Sequence, residues 1–394
     1  MDFRLTEEQR AWQLIARKFA DEEISRISIA RDTIAEPRET FDWEIICKGS
    51  RLGLRTLGVP KQWGGPGVDF TTQAIVMAEL ARGDSAIAKT FSQCWKWCHL
   101  IMDRCTPEQQ ERFLKPFMAD DGFVLGGGIT EPNAGSDNRL PPAIAPKSGL
   151  RLSAKCEGDE WVLNGEKCFI ANANIGKLIF VFTRTNPDVA VRDGTTIFAL
   201  PMPAQGVRVG KVFNKSGWRF YQNAELIFEN ARVPHCNLMG VLNGAMKHQG
   251  GKNAKFAELE YSANAVGVCD AAVDMAMKHA KTEKRGGRPL ADQQVVQLQL
   301  AEMHMRTEAL RSFMLRVATE SDDEGNEHFA HSHFLMNFAT EAIQRVCNLN
   351  QTIHGYADGR HRAGADKLVR DAIIWTHIAG DAVQRMKAVS FLLK

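Results

Sequence analysis

The chain has 394 residues, 44% hydrophobic and 24% charged, with 49 basic and 47 acidic residues and a formal charge of +2. That length supports a large core and about two or three domains. A near-neutral balance with scattered Lys and Arg argues against nucleic acid and membrane partners, and no run of about 18 apolar residues appears.

The opening "MDFRLTEEQRAWQLIARKFADEE" has no apolar signal core and is too acidic for a transit peptide, so a cytoplasmic location is expected. Thr6 followed by Glu7, Glu8 and Gln9 marks a helix start, and apolar positions then recur at helical spacing. "GVPKQWGGPGVD" interrupts the pattern, and "TTQAIVMAELARGDSAIAKTF" resumes it, so residues 1–120 are expected to form an N-terminal α-helical domain. The nine cysteines, an odd number over a long chain, indicate free thiols. Cys94, Cys98, His99 and Cys105 lack a CxxC knuckle and fall in a helix-like stretch, so no metal site is expected.

Residues 121–234 change texture. "DEWVLNGEKCFI" carries Asn164-Gly165, which predicts a two-residue hairpin turn. "KLIFVFTRT", "TTIFALPM", "GVRVGKVF" and "AELIFENARV" are short β-branched or aromatic runs, predicting a central antiparallel β domain of sandwich or barrel type. From 235 to 394 four long helical patterns with short links predict a C-terminal four-helix bundle, which makes the fold class α+β and multi-domain. Between Phe123 and Asp137 lies "GGITEPNAGSD", a glycine-rich loop that packs little; such loops on rigid scaffolds carry binding groups.

"MDFRLTEEQ", "LGLRTLGVPKQWGGPGVD", "ITEPNAGSD", "WVLNGEKCFI", "AELIFENARVP", "GRPLADQQVVQLQLAEM" and "KLVRDA", in that order and spacing, resemble the acyl-CoA dehydrogenase family over nearly the whole chain. The resemblance implies FAD between the β domain and the bundle and an acyl-CoA substrate beside it. A carboxylate would remove the α-proton while the β-hydrogen leaves as hydride. An α-proton beside a thioester is too weakly acidic for an unaided carboxylate, so hydrogen bonds to the thioester carbonyl must stabilise the enolate.

Carried onto this chain, Gly127, Gly128, Ile129, Thr130 and Ser136 would line the flavin, with Thr130 bonding its ring and Ser136 at the flavin phosphates or the CoA. Phe169 stands where the family usually shields the flavin with an aromatic ring. Ala171 replaces a threonine that often bonds flavin N5. Gln293 and Gln294 match positions reaching a neighbouring subunit's FAD, and Glu258 and Tyr261 fall in the CoA- and substrate-contacting stretch. A homotetramer, or alternatively a heterotetramer, and an electron-transfer acceptor protein are the implied partners.

Several landmarks depart from the family pattern. The arginine–x–x–phenylalanine–glycine segment reads "EKRGG", leaving Lys281, Lys284, Arg285 and Arg288 as candidates for the lost charge. "TIHGY" keeps only Gly355 of a glutamine–glycine–glycine turn, and "NRLPPAIAPKSG" is an insertion. The usual base position, nine residues after Arg370, is Ala379; Gly380 and Asp381 follow, and Asp381 matches a cofactor-contacting position. In isovaleryl-CoA and long-chain members the base lies seven residues before the glycine of an "AVG"-like segment. Here that glycine is Gly267, and seven back is Glu260, which is expected to be the catalytic base.

The expected function is α,β-dehydrogenation of a branched, cyclic or bulky acyl-CoA, in the oxidative or the reductive direction. A flavin monooxygenase or oxidase of the same fold and a structural or half-site subunit of a hetero-oligomer are the alternatives, motivated by Ala171 and by the eroded motifs around Glu283 and Thr352.

Overall fold

Thr6 starts the first helix as its sequence predicts. Its hydroxyl accepts from Gln9 N at 3.2 Å, and the Gln9 carboxamide accepts from Thr6 N at 2.9 Å, closing a capping box. In this computed structural model, residues 4–139, 149–247, 251–323, 330–355, 364–378 and 382–393 are described. Helix α1 (Glu7–Phe19) continues through a π turn (Ala20–Ile24) into α2 (Ser25–Asp32), followed by α3 (Trp43–Arg51), α4 (Phe70–Gly83), α5 (Ser85–Arg104) and α6 (Pro107–Ala119). The helical pattern running through "ARGDSA" breaks at Asp84, an extended residue whose carboxylate accepts from Ala86 N and Ile87 N at 2.8 and 3.0 Å. An N-cap carboxylate satisfies two orphan donors and starts α5 afresh.

Strands β1 (Leu125–Gly128), β2 (Ser153–Glu157), β3 (Glu160–Ala171), β4 (Leu178–Arg184), β5 (Thr195–Pro201), β6 (Val207–Val212), β7 (Asn223–Pro234) and β8 (Leu238–Met239) form one sheet. Its order is β6-β7-β3-β1-β4-β5-β8, with β2 pairing both β3 and β4. Most pairs are antiparallel; β1 with β4, and β2 with β4, are parallel. Side chains alternate along β4 and β5: Phe180, Ile197 and Ala199 join the core shared with the helices, while Ile179, Val181 and Phe198 join a second core on the other face.

Asn164-Gly165 is not the hairpin turn its dipeptide predicts. Strand β3 passes straight through it, the register with β7 shifts there, and the tight turn lies at Gly158-Asp159 between β2 and β3. The Asn164 carboxamide accepts from Asn230 N at 2.8 Å, and a Cβ on Gly165 would approach Leu152 Cα to 3.2 Å. The dipeptide builds a β-bulge against neighbouring strands.

The C-terminal region consists of α7 (Lys252–Thr282), a two-residue ribbon of β9 (Lys284–Arg285) and β10 (Arg288–Pro289), then α8 (Gln294–Asp322) and α9 (Ala330–His354). The fourth long helix expected from sequence is interrupted at Ile374, between α10 (Ala365–Ile373) and a single turn α11 (Trp375–Ile378), and beyond residues 379–381, which lie outside the described residues, comes α12 (Ala382–Leu392). Trp375 anchors the break: its ring is fully buried, meets Trp218 edge-on at 5.0 Å, and its indole donates to Tyr261 O. Helices α4 and α7 cross at Gly267, where a Cβ would stand 2.1 Å from Ala78 O. Lys367 bridges Asp84 (2.9 Å) and Asp371 (2.6 Å), and Asp371 also accepts from Trp218 N, so one buried charge cluster ties the first helices, the sheet and the bundle. No helix among the described residues is long and apolar enough to cross a membrane.

Candidate active site

Gly127 and Gly128 lie inside β1, where packing demands glycine. A Cβ on Gly127 would stand 2.7 Å from Phe180 O and 2.8 Å from the Trp97 ring, and one on Gly128 would meet Ile170 at 2.5 Å. Beyond them the chain leaves the sheet as an anchored loop. Ile129 O accepts from Lys167 Nζ at 3.0 Å, Thr130 O accepts from Cys168 N at 3.0 Å, and Glu131 and Ala134 bond each other. Glu131 is buried and accepts from Arg151 N, Leu152 N and Lys167 Nζ at 2.7, 2.9 and 2.7 Å. Burial pushes Lys167 down to about 8, against the pull of Glu131.

This loop walls a cleft of about 680 Å³, whose lining includes Thr130, Ser136, Cys168, Phe169, Phe213 and Glu225. Phe169 is 54% exposed despite its size and holds a left-handed φ of +54°. Its ring stacks on Phe213 at 3.9 Å, and its carbonyl accepts from Asn223 Nδ2 at 2.9 Å. A bulky residue at positive φ stores strain of a kind that concentrates at functional sites. Ala171 is buried in β3, opposite Gly127 and Asn223.

A second cluster lies behind α5. Trp97 packs on Gly127 and stacks on Phe180 at 5.0 Å; its neighbour Lys96 turns toward α7. There Glu260 is fully buried, with Oε1 2.8 Å from Lys89 Nζ and 3.6 Å from Lys96 Nζ. Lys89 lies off the hydrogen-bond axis, so neither Glu260 oxygen has an aligned donor among the described residues. Lys89 Nζ also sits 4.3 Å from the centre of the Tyr261 ring, which stacks on Trp218 at 6.3 Å. Tyr221 donates to Gln93 Oε1 at 3.0 Å on the same helix, and burial pushes its phenol well above the ordinary range. Glu258 points elsewhere, 3.4 Å from His333 on α9.

Arg285, Gln293, Gln294 and Gly355 gather at the far end of the bundle. Arg285 pairs with Glu283 at 2.6 Å, Gln293 stands just before α8 without a side-chain capping bond, Gln294 opens the helix, and Gly355 follows α9 with φ +71°. From Glu260 to the end of α7 at Thr282 the helix rises about 33 Å, too far for these residues and Glu260 to meet one small group within a single chain. Gly380 and Asp381 lie outside the described residues, as do residues 140–148 of the insertion.

Sequence reasoning missed Lys89 and Lys96. Their signal was present: two lysines seven apart fall on one face of a helix that is otherwise nearly all buried. It also missed Phe213 and Trp218, which nothing in their local sequence marks.

The cleft suits a flavin: it offers an exposed aromatic ring, the hydroxyls of Thr130 and Ser136, and open space where a Gly135 side chain would be. Residues 6–121, 126–231 and 256–389 match the N-terminal, middle and C-terminal domains of acyl-CoA dehydrogenase, respectively. The chain is 30% identical to a probable acyl-CoA dehydrogenase of Bacillus subtilis, covering 100% of both chains. It is 31% identical to acryloyl-CoA reductase (NADH) of Anaerotignum propionicum over 95% of this chain and 91% of that one. Among solved structures, butyryl-CoA dehydrogenase of Megasphaera elsdenii superposes with a TM-score of 0.90 at 27% identity over the full length of both chains.

Proposed function

The chain belongs to the acyl-CoA dehydrogenase family, and from that premise we propose that it is an FAD-dependent enzyme acting on the α,β carbon–carbon bond of an acyl-CoA. The observation that carries the reading is the cleft beside the Thr130–Ser136 loop, with the strained, exposed Phe169 on its wall. Thr130 and Ser136 would hold the flavin by their hydroxyls, and Phe169 would cover it. FAD, when bound, supplies the acceptor for the β-hydride. Glu260 would take the α-proton onto a carboxylate oxygen. Burial of Glu260 keeps water from competing for that proton.

Branched, cyclic or bulky acyl groups are the proposed substrates, with an electron-transfer flavoprotein or similar protein as redox partner and the cytoplasm as location. A tetramer in which the Arg285, Gln294 and Gly355 end of one subunit completes the cofactor site of another accounts for the 33 Å gap along α7, about the length given by helix rise. The exposed apolar residues Val295, Leu298 and Met305 of α8 support an interface there.

Anaerobic titration of the purified protein with a panel of acyl-CoAs, followed by flavin absorbance, tests the reading. Bleaching by a saturated acyl-CoA is expected. A protein without flavin absorbance even after FAD is added overturns it.

A further inference from the structure

Glu260 shares its burial with two cations. Lys89 and Lys96 lie seven residues apart on α5, and both ammonium groups approach the same oxygen, Oε1, at 2.8 and 3.6 Å. The side chains of Lys89 and Glu260 are 1% and 0% exposed. Burial pushes the Lys89 ammonium down, and Glu260 opposes that push. A fully buried lysine is costly unless a carboxylate compensates it.

We propose that Lys89 is a positioning residue for Glu260: by holding Oε1 it orients the carboxylate, so that Oε2 is the oxygen left to take the α-proton. The inference rests on Glu260 as the base. The Tyr261 ring centre, 4.3 Å from Lys89 Nζ, adds a cation–π contact to the hold on the ammonium. The other titratable groups around the pair are Lys96 on α5, Tyr221 from the segment before β7, and Tyr261 on α7 itself. Glu258 with His333 of α9 lies to one side, and Asp84, Lys367 and Asp371 lie about a turn further along, beside Ser85 and Asn264. Lys96 is 21% exposed and stands farther off, which makes it the lesser of the two cations.

The test uses holoprotein of the wild type, K89M, K89R and E260Q, with butyryl-CoA and isovaleryl-CoA as probes. Anaerobic flavin reduction is followed over a range of acyl-CoA concentrations at one pH. A residue that orients the base without touching substrate acts on the limiting rate and leaves the half-saturating concentration in place. K89M therefore reduces its flavin at least about tenfold more slowly than wild type at saturating acyl-CoA, with a half-saturating concentration within about threefold. K89R, which keeps the cation, stays within about threefold of the wild-type rate. A K89M limiting rate within about threefold of wild type, beside an inactive E260Q, removes the positioning role alone. E260Q at wild-type rate removes the base assignment and the positioning with it, and a wild-type flavin that neither probe reduces removes the underlying function. Should K89M fail to retain flavin, K89Q replaces it and thermal melting of the apoprotein completes the test. Adding E260Q to the same chain must then recover at least half of the lost melting temperature, and no recovery overturns the pairing.

Discussion

Lys167→Met perturbs the anchor beneath the cleft loop. Lys167 Nζ donates to Glu131 Oε1 at 2.7 Å and to Ile129 O at 3.0 Å, and both side chains of the ion pair are at most 5% exposed. Breaking a buried pair from one side costs about 3–5 kcal/mol, because the surviving charge keeps its desolvation penalty. Glu131 retains two backbone donors, Arg151 N and Leu152 N, which puts the cost near the low end, at about 3 kcal/mol. The lost bond to Ile129 O adds about 1 kcal/mol. Unfolding entropy of about 2.1 cal/mol/K per residue gives about 0.8 kcal/mol/K for a chain this long, so a loss of about 4 kcal/mol lowers Tm by about 5 °C. Differential scanning calorimetry of the apoprotein measures the drop without flavin, and E131Q/K167M, which removes both charges, should recover at least half of it. A drop under about 1 °C, or a double variant no better than K167M, refutes the view that this pair anchors the loop.

Thr130→Val removes a hydroxyl from the cleft and should weaken FAD binding by about 2–13-fold, read by fluorescence titration, the equivalent of about 0.5–1.5 kcal/mol. His99 is buried, bonds Gln73 at 2.9 Å and is held neutral, chiefly by burial, down to about 3, against 6.5 for an exposed histidine. The unfolded chain therefore takes up the proton first, and stability falls as pH drops below 6.5, by roughly 3 kcal/mol at pH 4.5. H99Q should flatten that loss in urea melts across about pH 4–7, and an unchanged acid slope would count against it. Leu298→Glu places a charge on the exposed apolar face of α8, where Leu298 is 72% exposed. Light scattering should show smaller assemblies, and gel filtration should show flavin lost with them; a monomer that keeps full flavin refutes the shared site.

Much of the fold was legible because its signals are local. The Thr6 box and the long helical repeats of α7 and α8 follow from spacing alone. The bulge at Asn164-Gly165 was not legible: a dipeptide that suits a hairpin turn also suits a bulge, and only Leu152 and Asn230, distant in sequence, decide between them. The break before Trp375 is likewise set by partners far away, Trp218 and the Tyr261 carbonyl. In the candidate site, Thr130, Ser136 and Phe169 were found through their motif and do line one cleft. Two lysines on one buried face of α5 were a signal, but that Glu260 is the carboxylate they meet was not legible, since sequence does not say which faces of α5 and α7 pack together.

The most direct test of the central claim is the anaerobic reductive half-reaction of Glu260→Gln, measured by stopped flow with the acyl-CoA that best bleaches the wild-type flavin. The substitution keeps shape and removes basicity at a site that is fully buried on α7. Flavin reduction should slow by about two to four orders of magnitude, with flavin content and absorbance spectrum unchanged. Reduction at the wild-type rate would contradict the account.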